Sequence, residues 1–171
     1  MHLRIFLTSL VAAGFVACIA PPPGTAGSDS APIFVTTIPA GYRDWKFISV
    51  SHEAANFNSI GAVLGNDLAV KAYREGKLPF PDGAIIAALH YRHSPSEENN
   101  KVFGKEQSFV AGDPTNIQFM VKDSKKYAAT GGWGFATFVD GKPAAAASMQ
   151  SCFPCHDKIK ERDLVFTRYA P

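Results

Sequence analysis

The chain is 171 residues long, 46% hydrophobic and 19% charged, which suffices for one folded domain and excludes a multidomain machine. Lys+Arg 17 against Asp+Glu 15 leaves a formal charge of +2 with no basic stripe, so a surface built for nucleic acid is excluded. Three cysteines and five histidines offer few ways to hold a metal, and their placement carries most of the chemistry.

Residues 1–20 begin Met-His-Leu-Arg and continue as an apolar run, the pattern of an export signal peptide. The run is about sixteen residues, short of the roughly twenty that a spanning helix needs, so the protein is expected in the periplasm or otherwise exported. Cys18 follows Phe15-Val16-Ala17, a permissive match to a lipoprotein cleavage box with phenylalanine where leucine is usual. A lipid anchor at Cys18 and a cysteine discarded with the signal both remain open. Residues 21–32 are mostly Pro, Gly and Ser and read as a linker, leaving residues 33–171 as a single domain.

Within that domain, residues 46–50 read as a short strand. Asn66 or Asp67 caps a helix that ends at Gly76, and residues 79–83 form a turn. Residues 84–91 read as a buried strand, followed by a polar loop over 94–100. Residues 116–122 alternate Ile117, Phe119 and Val121 against Gln118, Met120 and Lys122, the period of a strand with two unlike faces. A short helix through Lys125, Tyr127 and Ala128 ends at Gly131-Gly132. A strand over 133–139 and a hairpin turn at Asp140-Gly141 follow. Strands mixed with short helices in no βαβ order predict an α+β fold around an antiparallel sheet. Trp133, Phe135 and Phe138 are read as its core, and His52 and His93 as solvated loop or edge residues.

Cys152-Phe153-Pro154-Cys155-His156 is the Cys-x-x-Cys-His pentapeptide that attaches c-type haem. Two thiols add across two vinyl groups, and the adjacent histidine brings its imidazole beneath the iron. At this composition roughly 0.002 such matches arise by chance, so the signal is specific. A disulfide between the two cysteines, a redox Cys-x-x-Cys or a zinc site are the competing readings. Zinc lacks a second close ligand pair, and a thioredoxin-like motif belongs early in a βαβ unit. Neither Met120 nor Met149 is well placed as a distal ligand, which points to an open sixth position and to ligand binding or chemistry over pure electron transfer.

The run from Cys155-His156 through Asp163-Leu164-Val165-Phe166-Thr167-Arg168-Tyr169, with Val121-Lys122-Asp123-Ser124 and Trp133-Gly134-Phe135, resembles the cytochrome P-460 family, which includes the cytochromes c′-β. The similarity spans residues 42–171. It implies an exported mono-haem protein with an antiparallel sheet and flanking short helices, often a homodimer, with one covalent haem c on Cys152 and Cys155 and iron held by His156. It further implies a small gaseous or nitrogenous ligand: some members oxidise hydroxylamine or nitric oxide, whereas the c′-β members bind NO and CO reversibly. Two readings follow, an oxidoreductase acting on NO, hydroxylamine or peroxide with a redox partner protein of unknown identity, and a gas-binding or electron-carrying module without turnover. Two departures matter. The strand lysine that the oxidising members join to the porphyrin falls on Ala88, and their distal glutamate falls on Gln118, which can donate a hydrogen bond but cannot act as a general base. Strand alternation puts Ile86 and His90 on the Ala88 face, so Gln118 and His90 are the candidate distal polar groups and Ile86, with Phe80, the apolar wall. Arg168 is a candidate partner for a haem propionate.

Overall fold

A computed structural model describes residues 34–170; the signal, Cys18 and linker expectations lie outside the described residues. Six strands form one sheet in the order β1-β2-β3-β4-β5-β6, every neighbouring pair antiparallel: β1 (Lys46–Glu53), β2 (Ser59–Gly65), β3 (Ile85–Pro95), β4 (Phe109–Lys122), β5 (Trp133–Val139) and β6 (Lys142–Pro143). Helix α1 (Asp67–Glu75) follows β2, α2 (Glu97–Phe103) follows β3, and α3 (Ala146–Gln150) and α4 (Cys152–His156) end the chain with a 3-10 segment, Asp157–Arg162. This is the α+β arrangement that the residue pattern predicts. Among the described residues, no helix is long and apolar enough to cross a membrane.

Alternation along the strands gives the sheet two apolar faces. Ala87, Leu89, Phe119, Ala136 and Phe138 form one core, covered by Val35, Ile38, Tyr42 and Trp45 from the segment before β1. Ile48, Val63, Ile86, Trp133 and Phe135 form the other, packed beneath α1 and the C-terminal Leu164 and Val165. Asn66 ties α1 to the sheet: its Oδ1 accepts from Ala69 N (3.0 Å) as an N-cap and from Ile85 N (3.1 Å) at the start of β3. Gly76 closes the helix with φ 61°, a left-handed conformation that glycine adopts without strain.

Several elements depart from the sequence reading. The polar loop over 94–100 is in part helix α2, because Ser96 Oγ accepts from Asn99 N and two glutamates sit favourably in the first turn. The helix predicted through Lys125 shrinks to turns and a 3-10 segment, Ala128–Thr130, since Asp123 Oδ1 caps Lys125 N and Lys126 N and Gly131-Gly132 stop the chain almost at once. Strand β2 carries Gly61 and Gly65, which dilute the strand signal although burial alternates along it. Strand β4 starts earlier than predicted, through Gly112, Asp113 and Pro114, where the pairing with β3 is irregular. His52 is exposed on the edge strand β1, as read, whereas His93 is half-buried on β3, their rings 4.2 Å apart.

Gly134 shows how tightly the sheet packs against the β4–β5 connection. A Cβ added there would lie 2.3 Å from the Tyr127 ring. Gly134→Ala is therefore expected to destabilise the protein by about 1–3 kcal/mol through overpacking, read as a lower urea midpoint at unchanged slope.

Candidate functional site

Strand register lays the Ile86 and Phe135 face of the sheet out in rows. Ile86, Met120 and Phe135 are cross-strand partners; in the next row Val63, Ala88, Gln118 and Thr137 align; beyond it Ser51, Gly61, His90 and Asn116 align; Glu53, Ser59 and Arg92 end the series. From Ile86 to His90 the strand advances about 13 Å. Over these rows lies a cavity of about 370 Å³, within the range of cofactor and ligand pockets. Its walls include Glu53, Ile86, Ala88, His90, Gln118, Met120, Phe135, Cys152 and His156.

The C-terminal helix brings the pentapeptide to this cavity. In α4, Cys152, Cys155 and His156 stand at positions i, i+3 and i+4, the spacing that puts side chains on one helical face. Cys152 is half-buried in the cavity wall and Cys155 is exposed; both are free thiols. Burial pushes the Cys152 thiol up, with Cys155 adding in the same direction. Among the described residues, no group of three or more His, Cys, Asp or Glu gathers to hold a metal, so a closed zinc ligand set is not built here.

His156 is held on three sides. Its ring lies 5.1 Å from Phe135 and 5.0 Å from Phe166, centroid to centroid, and its Nδ1 stands 2.6 Å from Leu164 O. A carbonyl only accepts, so Nδ1 carries the proton and Nε2 keeps the lone pair that a metal requires. Burial pushes the imidazole below its ordinary range, against a smaller upward pull from the Leu164 carbonyl, which favours the neutral form.

The carbonyl is presented by an unusual turn. Asp163 and Leu164 both have positive φ (50° and 66°), and Asp163 is fixed by its neighbours. Its carboxylate meets Lys122 Nζ at 2.7 Å, Oδ2 accepts from Phe80 N (2.8 Å), and its backbone carbonyl accepts from Trp133 Nε1 (2.8 Å). Lys122 also donates to Gly131 O (3.1 Å) and lies over the Trp133 ring. The Lys122 and Asp163 side chains are 5% and 11% exposed, so this is a buried, multiply bonded ion pair joining the sheet to the turn behind His156.

At the far end of the cavity His90 is 7% exposed, and among the described residues its Nε2 has no hydrogen-bond partner. Its Nδ1 is 3.2 Å from Ser59 Oγ. Its cross-strand partner is Gly61, where a Cβ would meet Ser51 Oγ at 2.6 Å and rest in ordinary contact with the His90 ring. Burial lowers the His90 pKa and the Glu53 charge partly opposes this. Burial thus favours the neutral imidazole, on a residue that lines the cavity and has one nitrogen unsatisfied among the described residues.

The fold thus brings Ile86, Ala88, His90, Gln118, Cys152 and His156 to one cavity, with Gln118 at its exposed side. Arg168 does not join them: it lines a neighbouring cavity of about 230 Å³ with Tyr73, Phe80, Arg162 and Tyr169. Phe80 likewise faces that second cavity and the Trp133 ring (5.6 Å), so the apolar wall expected of it is supplied by Val63, Phe135 and Val165. Trp133 is fully buried core, Met149 is buried outside the cavity wall, and Met120 is in it. Sequence reading missed Glu53, Ser59, Phe166 and the Lys122–Asp163 pair, whose placement depends on register and on the C-terminal turn.

A cavity faced by a helical Cys-x-x-Cys-His motif, with a metal-ready imidazole held by a carbonyl, fits the attachment of a haem and defines the class as a cytochrome of c type on an antiparallel sheet. The family model for cytochrome P460 matches residues 39–167, and the chain belongs to that family. No curated protein matches the chain.

Proposed function

We propose that the protein is an exported cytochrome with one covalent haem c, joined to Cys152 and Cys155 and ligated by His156, that binds and turns over small nitrogen ligands such as nitric oxide or hydroxylamine. The observation that carries this reading is one cavity lined by both His156 and His90, the latter with a buried Nε2 that has no partner among the described residues. When bound, the haem supplies an iron that ligates the nitrogen and exchanges electrons. The chain's own residues do the rest: the Leu164 carbonyl sets the His156 tautomer, Phe135 and Phe166 set the plane of its ring, and His90 and Gln118 offer hydrogen bonds to whatever enters. Peptide export follows from residues 1–20, with a lipid anchor at Cys18 as one form of it; a redox partner protein and a homodimer complete the proposal.

A second reading, reversible gas binding or electron transfer without turnover, is favoured by Ala88. It lies in the cavity wall where the cross-linking lysine of oxidising relatives is expected, and none of the described residues lining the cavity is a lysine.

Protein exported in a host with haem-maturation machinery is expected to carry one haem through denaturation, seen by intact mass, and to bind nitric oxide with a clear optical change. Hydroxylamine turnover with an artificial acceptor above about 1 per second supports the enzyme; a rate far below that, with nitric oxide still bound, leaves the gas-binding reading. Colourless protein with both thiols of the pentapeptide free sinks the two together.

A further inference from the structure

Gln118 cannot take a proton from a bound ligand, yet the same cavity holds a carboxylate on another strand. Glu53 stands at the end of β1, lines the cavity and is exposed to solvent. Its cross-strand partner is Ser59, whose Oγ lies 3.2 Å from His90 Nδ1. Directly paired residues of antiparallel strands have Cβ atoms about 4.5–5.5 Å apart on one face, within the joint reach of a glutamate and a serine. His90 itself lines the cavity, and its buried Nε2 has no hydrogen-bond partner among the described residues. We propose that His90, Ser59 and Glu53 form a proton relay from the distal cavity to solvent, so that Glu53 does from β1 what Gln118 cannot do from β4. The relay rests on the haem site proposed above.

The transfer balances without electrons. A protic ligand in the cavity gives its proton to His90 Nε2, His90 Nδ1 gives its proton to Ser59 Oγ, and the Ser59 hydroxyl proton passes to the Glu53 carboxylate. The ligand stays in the cavity as its conjugate base, and protonated Glu53 loses its proton to water. Burial keeps the His90 imidazole neutral and so able to accept, while the Glu53 charge favours the transient cation. The other charged group on this face beside His90 is Arg92, also the cross-strand partner of Ser59; Ser51, Asn116 and Gln118 are its uncharged polar neighbours. His90 would touch the ligand, whereas Glu53 and Ser59 act through His90 and are positioning residues.

Cyanide and nitric oxide separate proton transfer from access. At neutral pH cyanide enters as HCN and must lose a proton to bind ferric haem, whereas nitric oxide has none to lose. In the ferric holoprotein Glu53→Gln is expected to slow cyanide association about tenfold, and His90→Gln about 100-fold, with nitric oxide association changed less than about twofold in both. Glu53→Asp should recover most of the cyanide rate. An unchanged cyanide rate in Glu53→Gln, or equal slowing of both ligands, would overturn the relay while the haem site stands. A preparation that carries no haem fails earlier, at the site on which the relay rests.

Discussion

Asp163→Ala is expected to cost about 3–5 kcal/mol of stability, the largest loss from any single side chain of the site. The change strands the Lys122 ammonium at 5% exposure and leaves Phe80 N without its acceptor. It also puts an alanine at φ 50°, a conformation that aspartate tolerates better. Gly131 O still accepts from Lys122, which keeps the loss from growing further. Asp163→Asn retains the left-handed preference and an acceptor for Phe80 N while removing the charge, so it should fall between wild type and Ala. Urea unfolding of the holoprotein measures both; a loss under about 1 kcal/mol for Ala would mean that the ion pair does not anchor the C-terminal turn. The same turn presents Leu164 O to His156, and its loosening should reach the haem spectrum as well.

On the attachment proposed above, His156→Ala is expected to remove the proximal ligand while leaving the haem covalently attached, because thioether bonds on Cys152 and Cys155 would not involve the imidazole. The mutant should keep the haem mass and lose the wild-type ferric and ferrous spectra. Exogenous imidazole should restore them, since the space left between Phe135 and Phe166 is shaped for that ring. Nitric oxide affinity is expected to change by more than about 100-fold, beyond the 10–100-fold typical of losing an outer-shell partner. Wild-type spectra in His156→Ala without imidazole would assign the ligand elsewhere.

Much of the chemistry was legible along the chain, because the pentapeptide is local. Two thiols and an imidazole within five residues form one helical face wherever the helix lies, and covalent attachment needs only that spacing. The alternation that put Ile86, Ala88 and His90 together was legible for the same reason: period 2 is a property of one strand. The place of Arg168 was not legible in this way: Thr167 borders both cavities, and Arg168, one residue on, lines only the neighbouring one.

What the amino-acid sequence determined by itself was therefore the attachment motif, the α+β pattern and the shared face of Ile86, Ala88 and His90. Tertiary structure alone decided that Glu53 stands across from Ser59 and behind His90, that Leu164 O selects the His156 tautomer, and that Lys122 meets Asp163. Each of those three depends on strand register or on a left-handed turn, where residues distant along the chain become neighbours. Hydrogen bonds and buried charge are distance-dependent interactions between such neighbours, so their partners emerge only when the sheet has closed over its C-terminal segment.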